Sequence, residues 1–395
     1  MRKYIGLLLI TSLLVACQTD QTNNNDDNDE PVFEETETIY DMDDFEAIPF
    51  EDLPDEQKMI IDRRILTSEM VFYGDHEVIT STDDQTVLFD LEANDIIWEQ
   101  DTGGYSVYQT IDDGLYYVTA RDEVQALSVK TGEVKQKYTY NDPVKAHSVF
   151  VYDDYVVITH LEEVAVYDKE TAEILWDYPI DDMITTPLEL DDVFLIKVNE
   201  DEIIAFDKET GDELHTIDGQ HEMYKEGFLL QDQLLFFTED PDDLDPIYLN
   251  IYDQDSFDQI DQIEIPRTGL KPIVADHALY IMDPYRATIA IDGDLKKEIW
   301  RLDHTDQTYQ FIDYTADENG LHILVQHAEQ DNSLFYLHLD AEDGSMLQYV
   351  ELDGVYERDI TYNFYTHDDK VYIKLVHNGK NRYYILSTDN VHTPF

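Results

Sequence analysis

One residue pattern recurs along most of this chain and limits what it can fold into. An apolar run is closed by an acid or a serine, a short polar turn follows, and a second apolar run begins. VLFDLEANDIIW (87–98), VAVYDKETAEILW (164–176), IIAFDKETGDELH (203–215) and IAIDGDLKKEIW (289–300) are four copies. The closing residues are Asp90, Ser128, Asp168, Asp207, Asp253, Asp292, Asp340 and, more weakly, Ser387, spaced 38 to 48 residues apart. A unit of this size cannot bury an apolar face alone, so it must stack against its neighbours.

Within each unit, short alternating runs rich in β-branched and aromatic residues predict strands. The fourth unit reads TPLELD (186–191), VFLIKV (193–198), EIIAFD (202–207) and ELHTI (213–217), joined by acidic turns. Four strands per repeat at a period of roughly 40–45 residues predict an all-β propeller, one antiparallel blade per repeat. Two phase relations support the register. Trp98, Trp176 and Trp300, the chain's three tryptophans, each fall eight residues after a closing residue. Asn94, Gly132, Gly211 and Gly344 fall four after, where a tight turn needs a residue that accepts positive φ. Ala172, Phe257 and Lys296 break that pattern, so their hairpins are expected to turn differently.

The markers predict eight blades, with seven as the alternative if Ser387 is not a true marker. The last unit has three strands, TYNFYTH (361–367), VYIKLV (371–376) and RYYILS (382–387). An open ring would expose a long edge, so MIIDRRILTS (59–68) is expected to supply the missing outer strand. Segment 51–66 also holds a candidate helical turn, with Asp55 as its cap.

The units resemble the PQQ-like (pyrroloquinoline quinone) β-propeller repeat, whose pattern is A-x-D-x-x-T-G-x-x-x-W. Ala205-Phe206-Asp207-Lys208-Glu209-Thr210-Gly211 and Ala126-Leu127-Ser128-Val129-Lys130-Thr131-Gly132 match best. The resemblance covers most of residues 70–390. It implies that the repeat Trp packs between neighbouring blades, and Gln136, His215, Asp261 and Gln348 depart at that phase. It also raises a quinoprotein dehydrogenase. That class adds vicinal cysteines, a calcium site and a cation beside the quinone. With Cys17 the sole cysteine and few cations, no PQQ and no other cofactor is expected.

The start of the chain carries an address. Arg2 and Lys3 precede an apolar run from Ile5 to Ala16. That run is too short to span a bilayer, which takes roughly 20 residues, and fits a signal peptide over residues 1–16. Leu14-Val15-Ala16-Cys17 resembles the lipobox of bacterial lipoproteins, which implies cleavage before Cys17 and a diacylglyceryl group on its thiol. Residues 17–50 are polar and acidic and read as a disordered tether, with the propeller over 51–395.

Charge sets the partners. With 89 Asp+Glu against 25 Lys+Arg, the formal net charge is −64. Phosphate backbones and anionic bilayer surfaces repel such a chain, which excludes nucleic-acid binding and polybasic membrane attachment. The acids are spread along the whole chain, as expected of a halophilic or alkaliphilic exterior where salt screens self-repulsion.

Signatures of catalysis are missing: no G-x-S-x-G elbow, H-E-x-x-H or P-loop occurs, and no catalytic residue is assigned. His322 and His327 are expected on opposite faces of a strand, at the surface or half-buried. Two loops stand out, 238–248 and 325–335. The first carries Glu239, Asp240, Asp242, Asp243 and Asp245, weak candidates for Ca²⁺ because the turn Gly and spacing of an EF-hand loop are absent. The expected function is that of a monomeric, lipid-anchored, extracytoplasmic and non-catalytic scaffold. It would bind other envelope or secreted proteins during envelope assembly or secretion, as the resemblance implies. The outer face of a single cell membrane suits the acidic surface, with a Gram-negative envelope as the other setting. The alternative is an extracellular enzyme or small-ligand-binding propeller with its site at the central channel.

Overall fold

The computed structural model describes residues 39–41, 47–54, 58–63 and 70–388. The last span is interrupted by segments at 74–76, 82–84, 91–92, 94, 103–108, 121–122, 141–147, 160–162, 181–185, 200–201, 219–221, 240–246, 266–271, 276–277, 284–286, 304–308, 318–319, 328–332, 353–362, 368–369 and 378–379. Among these residues the structure is all-β, with one 3₁₀ turn at Phe50–Asp52. No helix among them is long and apolar enough to cross a membrane.

Eight sheets follow one another along the chain, and each contains four strands in antiparallel order. Sheet 3 is typical. Ser148–Val151, Tyr155–Thr159, Glu163–Asp168 and Ile174–Pro179 pair in sequence, each with its neighbour. The two middle strands are buried on both faces, as Tyr155–Thr159 and Glu163–Asp168 illustrate. That is why these runs read as nearly continuous Val, Ile and Ala. The fourth strand alternates buried and exposed residues and forms the outer edge.

First strands of neighbouring sheets approach one another: Met70–Phe72 meets Gln109–Asp112, which meets Ser148–Val151. Farther on, Glu222–Leu230 meets Ile273–Ala275, which meets Tyr309–Asp317, which meets Asn363–His367. Apolar clusters fill the space between adjacent sheets. One joins Tyr280, Trp300 and Leu302 of sheet 6 to Phe311, Ile323 and Leu337 of sheet 7. Another joins Tyr336 and Val350 of sheet 7 to Phe364, Ile373 and Tyr384 of sheet 8.

Sheet 8 takes its outer strand from the other end of the chain. Strand β3 (Lys58–Arg63) pairs antiparallel with Lys380–Ser387, from Lys58 opposite Leu386 to Arg63 opposite Asn381. This is the pairing expected of segment 59–68. Among the described residues of 51–66 the only helical turn is the 3₁₀ turn, and Lys58–Arg63 are extended in that pairing; Asp55, the expected cap, lies outside the described residues.

The boundary at residue 50 needs correction. Residues 17–50 were expected to be a disordered tether, yet β1 (Ile39–Asp41) and β2 (Ile48–Pro49) are strands. β1 adds parallel to the outer strand of sheet 6, Glu298–Asp303, and β2 adds parallel to that of sheet 7, Met346–Leu352. Phe50 and Leu53 are buried against sheets 7 and 8, with the Phe50 ring edge-on to Tyr384 at 5.1 Å. A few apolar residues in an acidic stretch suffice, because the sheet edges supply the backbone partners.

Candidate interaction surfaces and the seams between sheets

Where an Asp closes a repeat, its carboxylate organises the turn that follows. Asp207 Oδ1 accepts from the Thr210 amide at 2.8 Å and from its hydroxyl at 3.0 Å. Asp168 does the same with Thr171, and Asp253 accepts from the Ser256 amide. Thr210 and Thr171 hold the Asp207 and Asp168 carboxyls below the ordinary carboxylate range, and Ser256 does so for Asp253. Gly132, Gly211 and Gly344 then adopt φ of 70°, 70° and 71° to enter the outer strand.

The other turns were expected to differ, and most do not. Ala172 and Phe257 take the same left-handed conformation at 57° and 58°; in sheet 6, Leu295 takes it one residue early at 56°. Glycine is therefore not needed for the turn alone.

The tryptophans explain where glycine is needed. Trp98, on the outer strand Asp95–Asp101 of sheet 1, donates its indole N–H to Val129 O at 2.6 Å in sheet 2. A Cβ on Gly132 would lie 2.6 Å from its ring. Trp176 donates to Lys208 O at 2.9 Å, and a Cβ on Gly211 would meet its ring at 2.6 Å. Trp300 donates to Ala341 O at 3.4 Å, and a Cβ on Gly344 would meet its ring at 2.5 Å. Each Trp is a latch that closes over the turn of the next sheet. Glycine stands there because no side chain fits beneath the ring.

Where the Trp is replaced, the next turn changes with it. Gln136 sends its amide to the carbonyls of Lys169 and Glu170, and Ala172 occupies the turn. That seam has an additional tie, since Lys169 Nζ pairs with Asp112 of sheet 2 at 2.5 Å. His215 stacks on Phe257, centroids 5.3 Å apart and planes at 30°. Gln348 is buried without a hydrogen-bond partner among the described residues.

Sequence reasoning missed a buried polar row in sheet 7. His322 is fully buried, not at the surface or half-buried as expected, and His327 is buried as well. His322 Nδ1 lies 2.8 Å from Tyr336 Oη, and its Nε2 lies 3.1 Å from Asp317 Oδ2. Its ring stacks on His338 at 4.2 Å. His338 stands opposite both His322 and Gln348, so the row crosses three strands. The signal lay in the two-residue spacing of Tyr336 and His338, which puts both on one face of a strand.

Among the described residues no group of three His, Cys, Asp or Glu is placed to share a metal ion. Glu239 ends strand Gln233–Glu239. Asp240, Asp242, Asp243 and Asp245 lie outside the described residues, as do Asn94 and Cys17.

Two surfaces remain open to a partner. Exposed acids crowd the end of the sheets where the latches sit: Asp113 in sheet 2, Asp153 and Asp154 in sheet 3, Asp191 and Asp192 in sheet 4. The outer strands form the second surface. β1 and β2 occupy the outer sides of sheets 6 and 7, and β3 is itself the outer strand of sheet 8. Among the described residues no strand pairs with the outer side of sheets 1 to 5. Ile96, Ile97, Ile174, Leu175, Leu214 and Ile260 are exposed there, all six or seven residues after a closing Asp. Sheet 2 instead carries Lys135 and Lys137, charged residues of the kind that blunt an edge.

A family model described as outer membrane protein assembly factor BamB matches residues 57–138 and 141–238. The matched segments resemble PQQ-like β-propeller repeats. The propeller of BamB from Moraxella catarrhalis superposes with a TM-score of 0.57 at 14% identity, covering 84% of this chain and 99% of that one. The computationally designed Ika8 protein gives 0.58 at 13%, covering 82% and 98%. At these identities the likeness is one of fold. No curated protein sequence matches the chain.

Proposed function

We infer that this chain is an extracytoplasmic lipoprotein held to the membrane through Cys17, and that its propeller is a non-catalytic scaffold for other envelope or secreted proteins. The observation that carries the reading is the match of its repeats to a family model described as an outer membrane protein assembly factor. In this reading the eight sheets are eight blades of one ring. The pairing of β3 with Lys380–Ser387 ties the two ends of the chain together and removes an edge that would otherwise invite aggregation.

The physical features agree with scaffolding. The spaces between blades are filled by apolar side chains and latched by Trp98, Trp176 and Trp300, so the propeller is a stiff platform. Loops and strand edges on such a platform are where partners dock. A net charge of −64 steers basic partners toward it and holds nucleic acid away. The same charge keeps the domain hydrated on a saline or alkaline cell exterior.

Mild cross-linking on intact cells at growth salt and pH, followed by capture of the lipoprotein and quantitative mass spectrometry, tests the reading. A reproducible set of envelope or secretion proteins, lost when loop 238–248 is deleted, supports it. Failure to capture any such set refutes it. Metabolic labelling with an alkyne fatty acid tests the anchor separately: the label should be lost in Cys17→Ala, and a variant that retains it would refute attachment at Cys17.

A further inference from the structure

Three outer strands carry an aliphatic residue immediately before their latch: Asp95-Ile96-Ile97-Trp98 in sheet 1, Glu173-Ile174-Leu175-Trp176 in sheet 3 and Glu298-Ile299-Trp300 in sheet 6. The latch holds each of these strands against the next sheet, so its outer edge is fixed before anything binds. In sheet 6 that edge is occupied. β1 lies parallel on it, with Ile39 opposite Arg301, Tyr40 opposite Leu302 and Asp41 opposite Asp303. Ile299, two residues before that pairing, is half-buried against the apolar cluster between sheets 6 and 7. Among the described residues no strand pairs with that edge in sheets 1 and 3, and the equivalent Ile97 and Leu175 are 46% and 40% exposed.

The geometry points to the outer strand Asp95–Asp101 of sheet 1 as a docking edge for an extended segment of a partner protein, one that alternates aliphatic residues with Lys or Arg. The segment adds as a fifth strand, as β1 does on sheet 6. Its chemistry follows from register. Arg301 stands nine residues after the closing Asp292, and the same position after Asp90 is Glu99. The strand also carries Asp95 and Asp101 and no base. In sheet 6 the aliphatic Ile39 stands opposite Arg301, whereas in sheet 1 that position is a carboxylate on a strand without a base, so a base in the incoming strand complements it. The aliphatic residues, alternating with the bases, lie on the other face and add apolar contact there, while backbone hydrogen bonds supply affinity independent of sequence. Because Trp98 has already fixed the edge, less ordering cost is left to binding. Sheet 3 offers a shorter version, since Pro179 at the end of its outer strand lacks the N–H a ladder needs.

The inference deepens the scaffold reading and rests on it, yet the two can fail separately. The probe is an acetylated, amidated heptapeptide of alternating Lys and Ile, titrated into the full-length protein in detergent. A Lys–Gly peptide of equal charge is the control. At 1 M NaCl, where the Debye length is roughly 3 Å, general attraction to the acidic surface is screened. The Lys–Ile peptide is expected to bind saturably and the control not at all, with amide exchange slowed across residues 95–101. Ile97→Lys and Glu99→Lys should each weaken binding about tenfold or more, and Ile97→Thr, a milder change at an exposed position, should weaken it in the same direction. Ile260→Lys, on the outer strand of sheet 5, should leave it unchanged. Equal binding of the two peptides, protection confined to other strands, or full affinity in Ile97→Lys and Ile97→Thr would overturn the assignment. Peptide binding with no partners captured on cells would sink the scaffold reading alone.

Discussion

The latch between Trp176 and Gly211 makes a quantitative prediction. Gly211→Ala places a Cβ 2.6 to 2.9 Å from Cγ, Cδ2 and Cβ of Trp176. The ring cannot slide away, because it is 7% exposed and stacked on Phe206 at 5.4 Å. The variant therefore suffers two effects. A non-glycine residue in the left-handed region costs about 1–2 kcal/mol, and overpacking a filled seam costs about 1–3 kcal/mol. The sum is about 2–5 kcal/mol. Trp176→Ala alone should cost about 3–5 kcal/mol. In that background the overpacking vanishes and only the backbone strain remains, so Gly211→Ala should cost about 1–2 kcal/mol. The cycle thus predicts a coupling of about 1–3 kcal/mol of opposite sign to the single effects. Urea unfolding at fixed high salt measures it, with tryptophan-independent circular dichroism as the probe. A coupling within about 0.5 kcal/mol of zero would show that the glycine answers only to the turn, and the reasoning would fail. Ala172→Gly is the counterpart. Gln136 and not Trp approaches that turn, so relief of strain at φ 57° should be neutral or stabilising by under about 1 kcal/mol.

Three further outcomes can be checked. Burial pushes the phenols of Tyr117, Tyr167 and Tyr280 up to about 12. A phenol raised on folding contributes stability that is complete below the ordinary phenol value near 10 and is lost as pH rises through about 12; absorbance at 295 nm should show their ionisation delayed and coupled to unfolding, whereas ionisation of every phenol near 10 would refute it. Tyr336→Phe removes the partner of His322 Nδ1 inside a fully buried row, and urea unfolding should record a loss of about 1–3 kcal/mol; no change would mean the bond carries nothing. Removing residues 1–64 strips β1, β2 and β3 and bares Lys380–Ser387, so light scattering at high salt should detect self-association; a monomer with unaltered melting temperature would contradict the role given to β3.

The strands and their repeat were legible because burial on both faces writes itself into sequence as uninterrupted runs such as VFLIKV and EIIAFD. The phase of the tryptophans and that of the glycines were legible too, but as two separate regularities. Their connection was not, since each Trp answers to the glycine of the next unit, 34 to 44 residues onward. Only packing reveals that dependence. The departures then change meaning. Gln136, which departs at the Trp phase, sends its amide to the same turn that an indole would reach, and His215 replaces the latch by stacking on Phe257.

The paths of β1 and β2 were hidden for a different reason. Strands of two or three residues show no alternation, and Ile39 and Ile48 stand in a stretch whose composition argues for disorder. What orders them is not their own propensity but the open backbone edge of sheets 6 and 7, a property of the rest of the molecule. The same physics governs the edge of sheet 1, on which no described strand pairs. A strand fixed by its latch, with two exposed isoleucines and three carboxylates, is costly to leave bare on a surface this soluble. Lys135 and Lys137 in the adjacent sheet show how this chain blunts an edge that is to remain unpaired. Asp95–Asp101 carries carboxylates in place of those lysines, so a basic incoming strand meets complementary charge on it.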